Sequence, residues 1–157
     1  MVEAGALVKE LQQMRDDGHL SDALLRFAVR SIEPSDDRYA WVGVYRHDDD
    51  GEDVWLHNYL GAGTDHARIP LGTGICGKAV ANKANMVVAD VSKEEEESLV
   101  SAEDILSEMV VLIRAGDDVF GLIKVESEEE GAFTDEDDAT IQLVAEKLAE
   151  QMMAERR

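Results

Sequence analysis

Two short acidic turns limit what this chain can fold into. Asp48-Asp49-Asp50-Gly51 separates an aromatic, β-branched run at 39–45 from a second run at 54–60. Gly116-Asp117-Asp118 separates the runs 108–115 and 119–127. Strands joined this closely pair back on themselves, because a parallel connection needs a crossover of about a dozen residues or more. Strict alternation along 54–60 places Trp55, His57 and Tyr59 on one face. Both ends of the chain read as helices. Leu7, Val8, Leu11 and Met14 recur at helical spacing, and Asp16-Asp17-Gly18 ends that pattern. Ser21 is placed to cap a second helix carrying Leu24, Leu25, Ala28 and Ile32, which Pro34 ends. Thr134 is placed to cap a long helix with Ile141, Val144, Ala145, Leu148 and Met152 on one face. A short extended piece at 67–70, a short helix at 75–82 and a strand at 86–89 lie between the hairpins. The plan is α+β: a central antiparallel sheet of about six strands, terminal helices on one face and a loop and short-helix layer over the other. One domain spans 1–157, with N-terminal helices in 1–34, sheet and pocket loops in 39–127 and a C-terminal helix in 134–157.

Bulk properties narrow the function classes. A chain of 157 residues is long enough to bury one core. No apolar run approaches the roughly 18 residues of a membrane span, and the first residues carry neither a basic flank nor an apolar signal core. The single cysteine excludes an internal disulfide and a cysteine-based metal cluster. His19, His47, His57 and His66 show no paired ligand spacing, so no metal and no cofactor are expected. These features point to the cytoplasm. Thirty-five acidic residues against fifteen basic ones give a formal charge of −20. Such a surface repels nucleic acid and anionic membranes. The acids are spread along the chain, with the run 94–97 reading as a solvated face or part of a mobile lid. A coat of this kind suits a protein living in concentrated salt, where self-repulsion is screened.

The segment 68–80 holds three glycines and the only cysteine in a turn that opens a helix. Gly72, Gly74 and Gly77 match a dinucleotide fingerprint, which requires a buried strand before it and a parallel sheet around it. Pro70 and the flanking hairpins supply neither. Gly72, Gly77 and Lys78 approximate a phosphate loop, but Ala79 lacks the hydroxyl that would bind Mg²⁺. The remaining reading is a tight glycine turn over a ligand cavity.

Together the turn Ile69-Pro70-Leu71-Gly72-Thr73-Gly74-Ile75-Cys76-Gly77, the apolar strand ending at Asp90-Val91, the segment 119–123 and Phe133-Thr134 with Asp137 resemble a GAF domain. The resemblance runs from about Leu24 to the C-terminus. It implies a six-stranded sheet, a small-molecule ligand held between sheet and loop layer, a sensor or signalling role, and homodimers through the terminal helices. Within the family, Trp41-Val42-Gly43 with Tyr45, Arg68-Ile69-Pro70, 74–77 and 107–111 are most similar to the free methionine-(R)-sulfoxide reductases. That likeness implies that Trp41 and Tyr45 enclose the substrate's sulfoxide end and that Glu108 takes part in the chemistry. It further implies substrate contacts from the positions of Lys124 and Glu126.

Departures from the reductases bear on the reaction. Sulfoxide reduction needs an attacking thiolate and a thiol that resolves the sulfenic product. The family's catalytic cysteine falls at Ser101, a further cysteine at His66, and one of the paired acids at Lys124. Only Cys76 remains. Three functions follow. The first is a non-catalytic small-molecule-binding GAF domain, with Trp41, Tyr45, Cys76, Ser101, Glu108, Lys124 and Glu126 at its site and an amine or amino acid as ligand. The second is a reductase working through Cys76, whose thiol a helix N-terminus would acidify. The third is a cyclic-nucleotide-binding domain, supported by Phe133, Asp137 and Asp138 but not by Asn82-Lys83, which sits on the short helix.

Overall fold

The computed structural model describes residues 1–94 and 99–156; glutamates 95–97 of the acidic run lie outside the described residues. Among the described residues there are ten main elements. They run α1 (Ala4–Asp16), α2 (Ser21–Ile32), β1 (Trp41–His47), β2 (Asp53–Leu60), β3 (Arg68–Pro70), α3 (Gly74–Asn82), β4 (Met86–Val88), β5 (Ser107–Ala115), β6 (Asp118–Ser127) and α4 (Asp135–Glu155). The strands form one sheet in the order β3-β2-β1-β6-β5-β4, and every neighbouring pair is antiparallel. The two hairpins therefore lie side by side. Their junction, β1 against β6, is the one central pairing with no short turn behind it. No helix is long and apolar enough to cross a membrane among the described residues.

Alternation sorts the side chains onto two faces. Val42, Val44, Met109, Val111, Ile113, Ile123 and Val125 face the terminal helices and meet Leu7, Leu11, Leu24, Leu25, Ile141, Val144 and Leu148. Trp41, Tyr45, Val110, Leu112 and Leu122 face the other way, onto Ile75, Cys76, Ala79 and Val80 of α3 and Ile69 of β3. The glycine turn attaches α3 to the sheet. A Cβ on Gly77 would lie 2.4 Å from the Pro70 carbonyl oxygen, so only glycine allows this approach. The strand before the turn has three residues and the sheet is antiparallel, which leaves no setting for a dinucleotide fold.

Three local expectations are corrected. Ser21 does not cap α2; Leu20 holds the cap position without a side-chain bond. Ser21 is the first helical residue, and its N–H and Oγ each donate to Glu155 at 2.8 Å, tying the start of α2 to the end of α4. Trp55, His57 and Tyr59 do not share a face. Val44 pairs with Asn58 but Tyr45 pairs with Leu56, so His57 is the extra residue of a bulge. His57 reaches Asp22 of α2 (Nε2–Oδ1 2.7 Å), whereas Tyr59 stacks on Trp41 across the sheet. Tyr39 lies before β1 rather than in it, and its hydroxyl donates to Asp137 (2.6 Å).

Thr134 caps α4 as expected. Its Oγ1 accepts the Asp137 N–H (3.2 Å), and the Asp137 carboxylate accepts the Thr134 N–H (2.9 Å), which makes a reciprocal capping box. The same carboxylate takes two bonds from the Arg38 guanidinium, at 2.8 and 3.0 Å. Arg38 also grips Asp36, which in turn pairs with the N-terminal amine at 2.7 Å.

Candidate functional site

Trp41, Gly43 and Tyr45 project from one face of β1, and the register brings the charged residues beside them. Trp41 pairs with Glu126 and Gly43 with Lys124 across β1–β6. Glu108 pairs with Glu126 and Val110 with Lys124 across β5–β6. Partners on adjacent strands lie roughly 5 Å apart, so Trp41, Glu126 and Glu108 form one row across three strands. Gly43 is what lets the indole lie along its own strand: a Cβ there would meet the Trp41 ring at 2.3 Å. Trp41 Nε1 donates to the Ala62 carbonyl (2.9 Å), and Tyr59 stacks on the ring with centroids 5.6 Å apart. The Tyr45 hydroxyl donates to the His66 carbonyl (2.7 Å), and burial holds its proton well above the ordinary phenol range.

At the centre is the Lys124 ammonium. It donates to Glu126 Oε2 at 2.9 Å and to the Leu99 carbonyl at 2.6 Å, and it lies over the Trp41 ring, 5.7 Å from the centroid. Its distance to Glu108 Oε2 is 3.6 Å, too long for a hydrogen bond. Glu126 is well supplied with donors: besides Lys124 it accepts the Ser101 N–H (3.2 Å) and the Ser101 hydroxyl. Glu108 is not. It is 0% exposed, and neither carboxylate oxygen meets a hydrogen-bond donor among the described residues. Burial pushes its pKa up; Lys124 pulls it back, and Glu126 adds to the rise. For Lys124, burial works against the charge, but the neighbouring acidic groups, at neutral pH the Glu108 and Glu126 carboxylates, outweigh it and hold the pKa above the ordinary lysine range.

Cys76 shares this environment, and the expectation that its helix N-terminus acidifies it is overturned. It is the third residue of α3 and fully enclosed between that helix and the sheet. Burial pushes the thiol up to about 12, against the pull of Lys124. At pH 8 this lowers the thiolate fraction on the order of a thousandfold relative to an unperturbed cysteine. Native protein will therefore resist iodoacetamide at pH 8, and mass spectrometry will show full labelling only after unfolding in urea. Rapid labelling of the folded chain would reverse this assignment of Cys76 as packing.

The sequence-predicted residues thus come together in space. Trp41, Tyr45, Cys76, Ser101, Glu108, Lys124 and Glu126 all border one polar cluster on the α3 face of the sheet. Lys124 fills the space between Trp41 and Glu108, and each of Trp41, Tyr45, Glu108, Lys124 and Glu126 is at most 2% exposed. A surface cleft of about 350 Å³ lies elsewhere, lined by Arg46, His47, Phe120 and Arg156 among others. Four contributors escaped sequence reasoning. Leu99, Ala62 and His66 act through backbone carbonyls, which carry no side-chain signal. Tyr59 was expected to share a face with Trp55 and His57, and the bulge at His57 is what separates them and sets Tyr59 on Trp41. Among the described residues, no group of three His, Cys, Asp or Glu is placed to hold a metal.

The chain matches a family model described as GAF domain over residues 18–151. No curated protein matches it by sequence. Among solved structures, the type II free methionine-R-sulfoxide reductase from Thermoplasma acidophilum is 27% identical, with a TM-score of 0.78 over 85% of this chain and 93% of that one. A GAF sensor protein from Burkholderia vietnamiensis is 25% identical, with a TM-score of 0.85 over 98% and 96%. The free methionine-R-sulfoxide reductase from Neisseria meningitidis, solved with its substrate, is 24% identical with a TM-score of 0.86 over 98% and 90%, a likeness of fold.

Proposed function

Because the chain belongs to the GAF domain family, whose members bind small ligands, we propose that it is a non-catalytic binding domain for an amino acid or a similar amine-bearing metabolite. The observation that carries this reading is the Glu108 carboxylate, enclosed in the sheet with neither oxygen meeting a donor among the described residues. A buried carboxylate in that condition costs free energy unless a proton or a ligand donor meets it. An ammonium group supplies both charge and donors. The Trp41 and Tyr45 rings on the same face of the sheet suit the apolar part of such a ligand. Similarity to a free methionine-R-sulfoxide reductase supports the same ligand class.

The other two readings are less well supported. A reductase through Cys76 would need a thiolate, and this thiol is buried and neutral. Ser101 stands where the resemblance puts the nucleophile, and its hydroxyl is bound to Glu126. A cyclic nucleotide would bring its phosphate against two carboxylates that share one ammonium.

Calorimetric titration with methionine, its (R)-sulfoxide and other amino acids tests the reading. The expected result is saturable binding of at least one of them. Silence across the panel removes amino-acid recognition. Steady turnover of the sulfoxide with dithiothreitol removes the non-catalytic assignment.

A further inference from the structure

We propose that Lys124 is the specificity-determining residue of this site: by taking Glu126 for itself it leaves Glu108 as the carboxylate without a hydrogen-bond donor among the described residues, so the site accepts a ligand with one ammonium group and rejects one with two. The inference rests on the amine-binding reading and goes beyond it by fixing the charge of the ligand.

The geometry divides the two carboxylates into unequal partners. Glu126 has the short contact to Lys124 (2.9 Å) and both donors of Ser101. Glu108 has only the longer approach of the same ammonium (3.6 Å) and no hydrogen bond among the described residues. The Leu99 carbonyl, 2.6 Å from Lys124 Nζ, holds the ammonium on the Glu126 side. Among the described residues the cluster therefore contains two carboxylates and one built-in cation. One further positive charge completes the balance at Glu108. A second would meet the Lys124 ammonium in a low-dielectric interior, where Glu126 is already answered by Lys124 and Glu108 by the first. Removing the lysine charge reopens Glu126, and the site then suits a ligand that brings two ammonium groups.

Norleucine and lysine make a matched pair of probes, since lysine differs mainly by a terminal ammonium. Calorimetry should show wild-type protein binding norleucine at least about tenfold more tightly than lysine, a gap of about 1.4 kcal/mol. In Lys124→Met the order should reverse, because lysine can restore the missing cation. Where Lys124→Met does not fold, Lys124→Gln, which keeps a donor for Glu126, carries the same comparison. If wild-type protein binds neither probe nor any other amine, the amine-binding reading itself fails. If wild type binds lysine as tightly as norleucine, or if either variant folds and keeps the wild-type order, that reading stands and the role of Lys124 is wrong.

Discussion

Replacing Asp137 with alanine lowers the stability of this protein by about 3–5 kcal/mol, the range for breaking a buried ion pair. The carboxylate is 1% exposed and has several dependants. It accepts the Thr134 N–H that starts α4, both arms of the Arg38 guanidinium, and the buried Tyr39 hydroxyl. Loss of the cap alone costs about 1 kcal/mol, and a stranded buried hydroxyl about 1–3 kcal/mol. Arg38 retains Asp36 and the Ala132 carbonyl, which holds the total to the lower part of the range. Tyr39→Phe should cost about 1 kcal/mol, because it removes one bond and strands nothing charged. The network also sets the acid limit. Burial raises the Asp137 pKa, but Arg38, Tyr39 and Thr134 outweigh it and bring it to about 2. The unfolded carboxyl titrates near 3.9, so the unfolded chain binds this proton more tightly. The stability it contributes is complete above about pH 4 and is lost as the pH falls toward 2. Urea denaturation from pH 5 to 2 checks both points. A loss below about 1 kcal/mol for Asp137→Ala, or an acid limb unchanged in that variant, would show that α4 is docked by other means.

Much of this fold was legible because it is written in local periods. The two acidic turns gave the hairpins, and the apolar stripes of α1, α2 and α4 gave the layer that covers them. Boundaries failed where a distant partner decides. Ser21 looks like a cap, yet Glu155 from the far end of the chain takes its hydroxyl. The bulge at His57 is set by pairing of β2 with β1 and by Asp22 on α2, so strict alternation along 54–60 could not reveal it. The site was legible by residue but not by state. Family resemblance singled out Glu108, Lys124 and Glu126, which share the β5–β6 hairpin, while their place beside Trp41 depends on the register of β1 against β6, more than 60 residues apart in sequence. A helix N-terminus argued for an acidic Cys76, but desolvation against the sheet is the larger effect and points the other way. That Lys124 turns toward Glu126 and away from Glu108 depends on the Leu99 carbonyl, a group every residue has.

Glu108→Gln should make the protein more stable and a poorer binder at the same time. Two effects oppose each other in the unliganded chain. Lys124 attracts the carboxylate from 3.6 Å, which favours the wild type. Desolvation and the neighbouring Glu126 disfavour the charge, and the raised pKa means that these win. A neutral amide of the same shape avoids the penalty, and the gain at neutral pH should be about 1–3 kcal/mol, the cost of an unmet buried polar group. The pH dependence carries a sign opposite to that of Asp137. The folded carboxyl of Glu108 binds its proton more tightly than the unfolded one, which titrates near 4.3. Wild-type stability from this group is therefore full below about pH 4 and declines as the pH rises through the folded value. The advantage of Glu108→Gln should be absent near pH 4 and grow above it. Ligand binding responds in the reverse sense, because the amide cannot balance an ammonium. Losing one partner of a buried, charge-assisted pair costs about 2–5 kcal/mol, or about 300-fold in Kd at the middle of that range. Urea melts across pH and calorimetry on the same preparation separate the two outcomes. A variant less stable than wild type at pH 7 would mean that Glu108 already has a partner within the fold. Unchanged affinity would place the ligand away from Glu108, and the trade of stability for recognition at this carboxylate would be refuted.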